Sequence, residues 1–424
     1  MGIKETLEYI HNVKWQGRKP GLDRTRQLLA SLGNPEKKLK FVHIAGTNGK
    51  GSTAACIASV LQKAGYKTGL YTSPYIMRFN ERMQVDGTQI TDDELEALIG
   101  EIKPFADSME DSPTEFELIT ALAMKYFLYK NVDIVVLEVG MGGTLDSTNV
   151  IDTPEVAVIT SIGFDHVVEL GPTITDIAGA KAGIIKDNCD VCVYAGSDEV
   201  LEVFKQVSAK HNARLTIADF SRIKKQEFTL DGIVLNISPY NDTLLKLNGE
   251  YQPKNATVAI TALEILREKG YKISDENIAQ GLNDVKWPGR FEILGRDPVF
   301  ILDGAHNPQG VESAASSLRE YFKDQKIIFV IGVMADKDVD SMISYIAPLA
   351  KEFIAVRPNY PRAMSAELLA EKLSNYNTAV TAAESVSSGV KEAVKKAGKS
   401  GIVCALGSLY FSADIRQAYL DLES

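Results

Sequence analysis

The sequence predicts an α/β protein built on a P-loop-type, doubly wound, mainly parallel sheet. Three observations support this fold class. Short apolar runs alternate with longer helical patterns along the first two hundred residues, which is typical of β-α-β units. A glycine-rich segment with one lysine follows the apolar run 41–45 directly. A second alternating block begins near Pro298 and predicts a second, smaller Rossmann-like α/β domain.

The first block contains most of the candidate site. Its predicted strands are 41–45, 68–71, 133–137, 156–161 and 191–194. Its predicted helices are 53–64, 91–102, 115–129 and 174–184. Ligands of such sheets bind at the carboxyl ends of the strands, so the residues that follow each strand are the first candidates for function.

The pattern changes over residues 212–250. Runs 228–235 and 244–247 predict a small antiparallel β elaboration of the first domain, and a helix over 255–269 follows. The second block has predicted strands at 299–303, 327–331, 352–356 and 402–405. Its predicted helices are 308–321, 340–349, 365–373 and 385–397. We therefore predict domains at 1–296 and 297–424.

Composition narrows the function classes. The 424 residues carry a net charge of −10, which argues against nucleic acid as a partner because phosphate backbones attract basic surfaces. No run approaches 18 apolar residues, so we expect neither a membrane span nor a membrane partner, and the N-terminus lacks a secretory signal. Four cysteines are too few for a disulfide scaffold, which favours a cytoplasmic location. Cys189 and Cys192 form a C-x-x-C without a second pair; we interpret them as structural, with a redox pair as the alternative.

The glycine-rich segment has the composition of a phosphate-binding loop. Glycines let backbone N–H groups turn toward an anion, and the start of the next helix adds partial positive charge. Lys50 can reach phosphate oxygens, and the hydroxyl of Ser52 can reach Mg²⁺. The spacing departs from the usual P-loop, so an ordinary glycine-rich turn is the alternative. The segment consists of Gly46, Thr47, Asn48, Gly49, Lys50, Gly51 and Ser52.

Side chains able to bind a metal follow other predicted strands. Glu138 ends a hydrophobic strand, where nucleotide enzymes place a metal-associated acid, although a capping role is the alternative. Asp165 and His166 follow the strand 156–161, and we interpret His166 as a metal or phosphate ligand. Ser73 follows the strand 68–71. His43, inside an apolar strand, is interpreted as a core residue.

Several separate motifs together resemble one family. Residues 181–186 read Lys-Ala-Gly-Ile-Ile-Lys at the end of a predicted helix, where a lysine can also serve as a partner of the helix dipole. With the loop 46–52, the run 142–150 and the run 303–308, this segment resembles the folylpolyglutamate synthases of the Mur ligase superfamily. The resemblance runs in order from Lys14 to Arg416. Thr144–Leu145 departs in detail, which leaves pterin-side specificity open.

The resemblance implies residue roles. Lys181 would be carbamylated and would bind a second Mg²⁺, because a carbamate is an oxygen ligand suited to a hard metal. The implied metal residues are Ser52, Ser73, Glu138, His166 and Lys181. The implied catalytic residues are Lys50, Lys181, His166 and His306. Adenine, ribose or phosphates would be held from across the interdomain cleft by Asn255, Arg290 and Asp303. The implied substrate residues are Arg82, Asp146, Ser147, His306 and Ser408.

The implied reaction is ATP-dependent amide ligation with Mg²⁺. The γ-carboxyl of a reduced folate is phosphorylated by ATP, and the amine of L-glutamate then displaces phosphate. Dihydrofolate synthase activity on dihydropteroate, alone or in the same site, is the nearest alternative. A cell-wall Mur ligase is disfavoured by the Lys50-Gly51-Ser52 spacing, and a nucleotide-dependent switch without ligation remains a third possibility. The family resemblance also implies a monomer.

Overall fold

The computed structural model describes residues 2–12 and 21–423, so Lys14 lies outside the described residues. The chain folds into two compact units. The first contains the described residues up to 223, with 237–243 and 254–285, and the second contains 224–236, 244–253 and 286–423. The functional domain bounds 1–296 and 297–424 stay predictions.

The first unit is built on an eight-stranded sheet in the described residues. Its strands are β1 (Phe41–Ala45), β2 (Thr68–Tyr71), β3 (Met83–Val85), β4 (Thr88–Gln89), β5 (Ile134–Glu138), β6 (Val156–Ile159), β7 (Asp190–Val193) and β8 (Arg214–Ile217). Its helices are α1 (Ile3–His11), α2 (Asp23–Ser31), α3 (Lys50–Lys63), α4 (Asp92–Ser108), α5 (Glu115–Tyr129), α6 (Val167–Leu170), α7 (Ile174–Ala182), α8 (Asp198–Lys210), α9 (Gln252–Glu268) and α10 (Asp275–Asp284).

The order of the strands brings the predicted site residues to one edge. The sheet runs β4-β3-β2-β5-β1-β6-β7-β8, and only the β2–β3 and β3–β4 pairs are antiparallel. The central strands β1 and β5 are buried along their whole length, as expected for a parallel sheet with both faces covered. The carboxyl ends of β2, β5, β1 and β6 therefore lie side by side, which confirms the predicted sheet and positions the residues that follow each strand.

A three-stranded sheet separates the two alternating blocks in sequence. Its strands are β9 (Ile223–Thr229), β10 (Gly232–Ile237) and β11 (Tyr240–Leu245), in the order β11-β10-β9. Two residues connect each strand to the next, and such short connections require antiparallel neighbours. This confirms a small antiparallel β element and adds a third strand, but both predicted runs, 228–235 and 244–247, lie in the second unit and not in the first.

The second unit is a six-stranded sheet in the order β12-β13-β17-β14-β15-β16, parallel except for the β12–β13 pair. Its strands are β12 (Glu292–Arg296), β13 (Val299–Leu302), β14 (Ile327–Ile331), β15 (Ala350–Ala355), β16 (Val380–Ala382) and β17 (Ile402–Leu406). Its helices are α11 (Pro308–Tyr321), α12 (Val339–Ile346), α13 (Ala366–Ser374), α14 (Val386–Ala397) and α15 (Ser412–Glu423). The predicted second α/β block is confirmed.

Two expectations can be compared directly with the structure. The helix after the glycine-rich loop was predicted to begin at Thr53, but α3 begins at Lys50. Lys50 and the two residues after it therefore lie in its first turn, where N–H groups lack intrahelical partners. All four cysteines are free and buried, which agrees with the structural interpretation of Cys189 and Cys192. No helix among the described residues is long and apolar enough to cross a membrane.

Candidate active site

The loop between β1 and α3 has a fixed backbone path. Gly46 has φ of +150° and Gly49 has φ of +87°, conformations that favour glycine. A Cβ at Gly49 would lie 2.5 Å from Oδ1 of Asn255, a buried residue of α9. The predicted nucleotide residues Gly49 and Asn255 are therefore neighbours in the fold.

Hydrogen bonds to the segment after β6 hold the same loop. The backbone N–H of Thr47 donates to the Ser161 carbonyl at 2.8 Å. The Thr47 hydroxyl donates to the Gly163 carbonyl at 3.0 Å, and the Gly163 N–H lies 3.1 Å from the same hydroxyl oxygen. The hydroxyl of Ser161 donates to the Asn48 carbonyl at 3.2 Å. The side chain of Thr47 thus shapes the loop.

Two predicted catalytic lysines meet at one carbonyl oxygen. Lys50 Nζ donates to the Gly46 carbonyl at 3.1 Å and to the Thr47 carbonyl at 3.2 Å. Lys181 Nζ, near the end of α7, donates to the same Gly46 carbonyl at 2.9 Å. Burial and then the charge of Lys50 lower the pKa of Lys181 to about 7. An acidic protein thus concentrates positive charge at its glycine-rich loop, which is the arrangement an anionic ligand requires.

The predicted metal residues offer mainly hard oxygen donors. Glu138 is buried, and its Oε2 accepts the backbone N–H of Ser73 at 3.1 Å. Ser52 is buried in the first turn of α3. One carboxylate with hydroxyl groups and ligand phosphates is a donor set that fits Mg²⁺. In the described part of the chain, no three His, Cys, Asp or Glu side chains form a cluster able to hold a metal ion, so substrate oxygens would have to complete any such site.

His166 and Lys181 fit a metal less directly in their present forms. His166 has φ of +51°, its ring is 45% exposed, and its nitrogens lie 4.0 Å from carboxylate oxygens of Asp165 and Glu169. The ammonium group of Lys181 has no lone pair, so Lys181 could act as a ligand only after conversion to a carbamate. The lowered pKa supports that conversion, because carbon dioxide reacts with the neutral amine.

The loop after β5 holds the predicted substrate residues Asp146 and Ser147, both buried. Asp146 Oδ1 accepts the backbone N–H of Thr148 at 3.0 Å, and its Oδ2 accepts that of Met141 at 2.9 Å. The side-chain amide of Asn149 donates to the carbonyls of Thr144 and Gly183 at 3.2 and 3.0 Å. Asn149 therefore joins this loop to the residues after α7.

Arg82 is buried with part of its charge unsatisfied. Its guanidinium carbon lies 5.2 Å from the ring centre of Tyr75 and 5.8 Å from that of Phe79. Its Nε and Nη1 atoms have no hydrogen-bond partner in the described part of the chain. Because a buried unpaired donor is costly, these two atoms are candidates to bind an anionic or carbonyl group of a ligand.

The predicted residues of the second unit gather around Gly304. A Cβ there would lie 2.2 Å from Nη1 of Arg290 and 2.1 Å from Cδ2 of Leu409. His306 Nδ1 lies 2.8 Å from the Gly304 carbonyl, and Ser408 is buried beside Leu409. The pairing of Leu302 with Ala405 in parallel strands β13 and β17 explains why the two following loops meet.

The Asp303 carboxylate accepts hydrogen bonds from residues of its own unit. Its Oδ1 accepts the Ala305 N–H at 2.7 Å, and its Oδ2 accepts the Phe291 N–H at 2.8 Å and the Tyr251 hydroxyl at 3.1 Å. Burial raises the pKa of Asp303. Phe291, next to Arg290, has φ of +44°, a strained conformation for a bulky residue. The sequence analysis missed Phe291 and Tyr251, because neither strain nor a long-range hydroxyl contact has a local signature.

Sequence comparison assigns two long segments of the chain to known domain families. The Mur ligase middle domain matches residues 44–263, and the Mur ligase glutamate ligase domain matches residues 289–409. A dihydrofolate synthase/folylpolyglutamate synthase of Bacillus subtilis is 40% identical over 98% of this chain and 98% of that protein. The chain belongs to this family of Mur ligases.

Solved structures of the family have the same fold. Folylpolyglutamate synthase of Mycobacterium tuberculosis, complexed with ADP and AMPPCP, superposes with a TM-score of 0.90 at 30% identity, covering 98% of each chain. Escherichia coli FolC in complex with DHPP and ADP superposes with a TM-score of 0.89 at 30% identity, covering 100% of this chain and 99% of that one. The chain is therefore a ligase with the family's fold, as the sequence motifs predicted.

Proposed function

We propose that the chain is a folylpolyglutamate synthase that adds L-glutamate to the γ-carboxyl of a reduced folate at the expense of ATP. The observation that carries this proposal is the meeting of Lys50 and Lys181 at the Gly46 carbonyl, at the carboxyl edge of the parallel sheet. The nucleotide complexes of the structural relatives support ATP as the phosphate donor. We expect a monomer in the cytoplasm.

A carboxylate is a poor electrophile, so the folate carboxyl is first phosphorylated by ATP, and the glutamate amine then displaces phosphate from the acyl phosphate. Lys50 and the first-turn N–H groups of α3 stabilise the charge on the transferring phosphoryl group. Mg²⁺, when bound, neutralises phosphate charge and orients the phosphate oxygens. Glu138, Ser52 and Ser73 are the residues proposed to hold it, joined by His166 and by Lys181 as its carbamate at a second site.

The remaining predicted residues are proposed to bind the substrates. Asn255, Arg290 and Asp303 serve the nucleotide, with Asp303 acting chiefly by holding the backbone at Phe291. Arg82, Asp146 and Ser147 serve the pterin-bearing substrate, and Arg82 offers two unpaired guanidinium nitrogens for it. His306 and Ser408 serve the incoming glutamate.

Dihydrofolate synthase activity in the same site is the second candidate. It is favoured by the double name of the Bacillus subtilis relative and by the DHPP complex of the Escherichia coli protein. The chemistry is the same, since only the acceptor carboxylate changes.

One experiment separates these functions. Purified protein is given MgATP and L-glutamate with tetrahydrofolate, with dihydropteroate, or with neither, and ADP release is measured. Turnover with tetrahydrofolate alone indicates a monofunctional synthase, and turnover with both acceptors indicates a bifunctional one. ADP release that needs neither acceptor would refute ligation and leave a nucleotide hydrolase or switch.

A further inference from the structure

A buried chain of hydrogen bonds joins β1 to the loop after β5. His43 Nε2 lies 2.9 Å from the hydroxyl oxygen of Thr148, which in turn lies 2.5 Å from Oδ1 of Asp146. His43 and Thr148 are 0% exposed and Asp146 is 7% exposed. The roles proposed above include Asp146 but give none to His43 or Thr148.

The protons in this chain can be assigned. The Thr148 hydroxyl has one proton, and it donates that proton to the carboxylate of Asp146. The same oxygen can then only accept from His43, so His43 must carry its proton on Nε2. Nδ1 of His43 has no hydrogen-bond partner among the described residues. The imidazole is neutral because burial lowers the pKa of His43 to about 3.

The position of His43 in the sheet makes this arrangement rigid. His43 pairs in register with Leu137 of β5 and Ala157 of β6, at the centre of a fully buried strand. A polar ring with one unsatisfied nitrogen is costly at such a position. Without the histidine, the Thr148 hydroxyl would lack the donor that fixes its direction toward Asp146.

We propose that His43 is a positioning residue that, through the Thr148 hydroxyl, holds the Asp146 carboxylate in the orientation that binds the pterin-bearing substrate. The inference rests on the proposed function, in which Asp146 contacts that substrate. β1 also leads directly into the glycine-rich loop, so one strand supports both the nucleotide loop and the pterin-side carboxylate.

The test compares variants that remove a donor with variants that keep it. His43→Leu and Thr148→Val each interrupt the hydrogen bonds from His43 to Asp146, whereas His43→Gln and Thr148→Ser each retain a hydrogen-bonding group at the same place. Thr261→Val is the matched control, since it removes a buried hydroxyl that donates to the Thr257 carbonyl within α9. Asp146→Asn tests the assigned carboxylate itself. Each protein is assayed for KM of tetrahydrofolate, dihydropteroate and MgATP, and for dihydropteroate binding by fluorescence titration.

We expect His43→Leu and Thr148→Val to raise KM and Kd for the pterin-bearing substrate roughly tenfold, since Thr148→Val removes the hydrogen bond to the Asp146 carboxylate and His43→Leu removes the donor that directs that bond. KM for MgATP should stay within about twofold, because this chain of bonds ends at Asp146. His43→Gln and Thr148→Ser should restore most of the affinity. The double variant His43→Leu/Thr148→Val should be no worse than the more severe single variant, because both act on one carboxylate oxygen.

Other outcomes overturn the inference. An unchanged pterin KM in Thr148→Val, or equal losses for pterin and MgATP, would show that the His43–Thr148–Asp146 hydrogen bonds are only structural. If His43→Leu does not fold, the comparison of Thr148→Val with Thr148→Ser tests the inference by itself. An unchanged pterin KM in Asp146→Asn would refute the role of Asp146 and the inference with it, while ligation by the native chain would leave the proposed function standing. No ligation by the native chain would refute the proposed function, and the dihydropteroate titration would then decide the inference.

Discussion

Gly49→Ala tests whether the glycine-rich loop depends on its close approach to α9. Gly49 and Gly65 have nearly the same φ, +87° and +86°, but a Cβ at Gly65 would have nothing within 4 Å, whereas one at Gly49 would lie 2.5 Å from Oδ1 of Asn255. The two substitutions therefore place alanine at nearly the same positive φ and differ in the neighbour that the new methyl group meets.

The magnitudes follow from these distances. A left-handed conformation costs alanine roughly 1–2 kcal/mol, and the stiffer unfolded chain offsets part of this, so Gly65→Ala should lower the free energy of unfolding by about 1 kcal/mol. Gly49→Ala places alanine at nearly the same positive φ, and Asn255 Oδ1 must in addition move by about 0.9 Å to restore ordinary contact. Since a displacement near 1 Å in an active site can cost about a hundredfold, we expect kcat/KM for MgATP to fall about that far.

The assay is steady-state ligation with MgATP varied, together with urea unfolding of both variants. Gly65→Ala should keep the kcat/KM of the native protein. Asn255→Ala removes the atom that clashes, so Gly49→Ala should cost much less in that background than in the native one. Native kcat/KM in Gly49→Ala, or equal losses in Gly49→Ala and Gly65→Ala, would refute the reasoning.

Three further predictions concern buried titratable groups. Lys181→Ala should abolish ligation; full activity that is insensitive to bicarbonate in that variant would contradict a carbamate role. Burial lowers the pKa of His43 to about 3, so below pH 6.5 the unfolded chain binds a proton that the folded chain does not, and stability is lost as the pH falls. His43→Leu should therefore reduce the loss of unfolding free energy between pH 7 and 5 by about 2 kcal/mol in urea titrations, and an unchanged pH dependence would argue against a neutral His43. Burial raises the pKa of the Cys189 and Cys192 thiols, which makes them poor nucleophiles. The double variant Cys189→Ala/Cys192→Ala should therefore have the same ligation activity with and without reductant. A response to reductant in the native protein but not in this variant would revive the redox alternative.

The elements that the sequence predicted best are those whose burial is uniform or periodic. Strands 41–45 and 327–331 and helix 308–321 have the predicted bounds, because their apolar pattern reflects their packing. Strand β8 was missed because it is half exposed at the edge of the sheet and lacks a continuous apolar run. The start of α3 was placed too late because propensity disfavours a helix through Lys50-Gly51, whereas the tertiary packing of the loop allows it.

The sequence by itself determined the two α/β units, the loop that joins β1 to α3 and the family, since each depends on local pattern or on motifs read along the chain. Only the tertiary structure decided which distant side chains share a hydrogen-bond partner. Lys50 and Lys181 meet at one carbonyl, and His43 reaches Asp146 through Thr148, although more than a hundred residues separate Lys50 from Lys181 and His43 from the other two. Such contacts arise from the order of parallel strands, which brings distant carboxyl ends to one edge and leaves no trace in residue spacing.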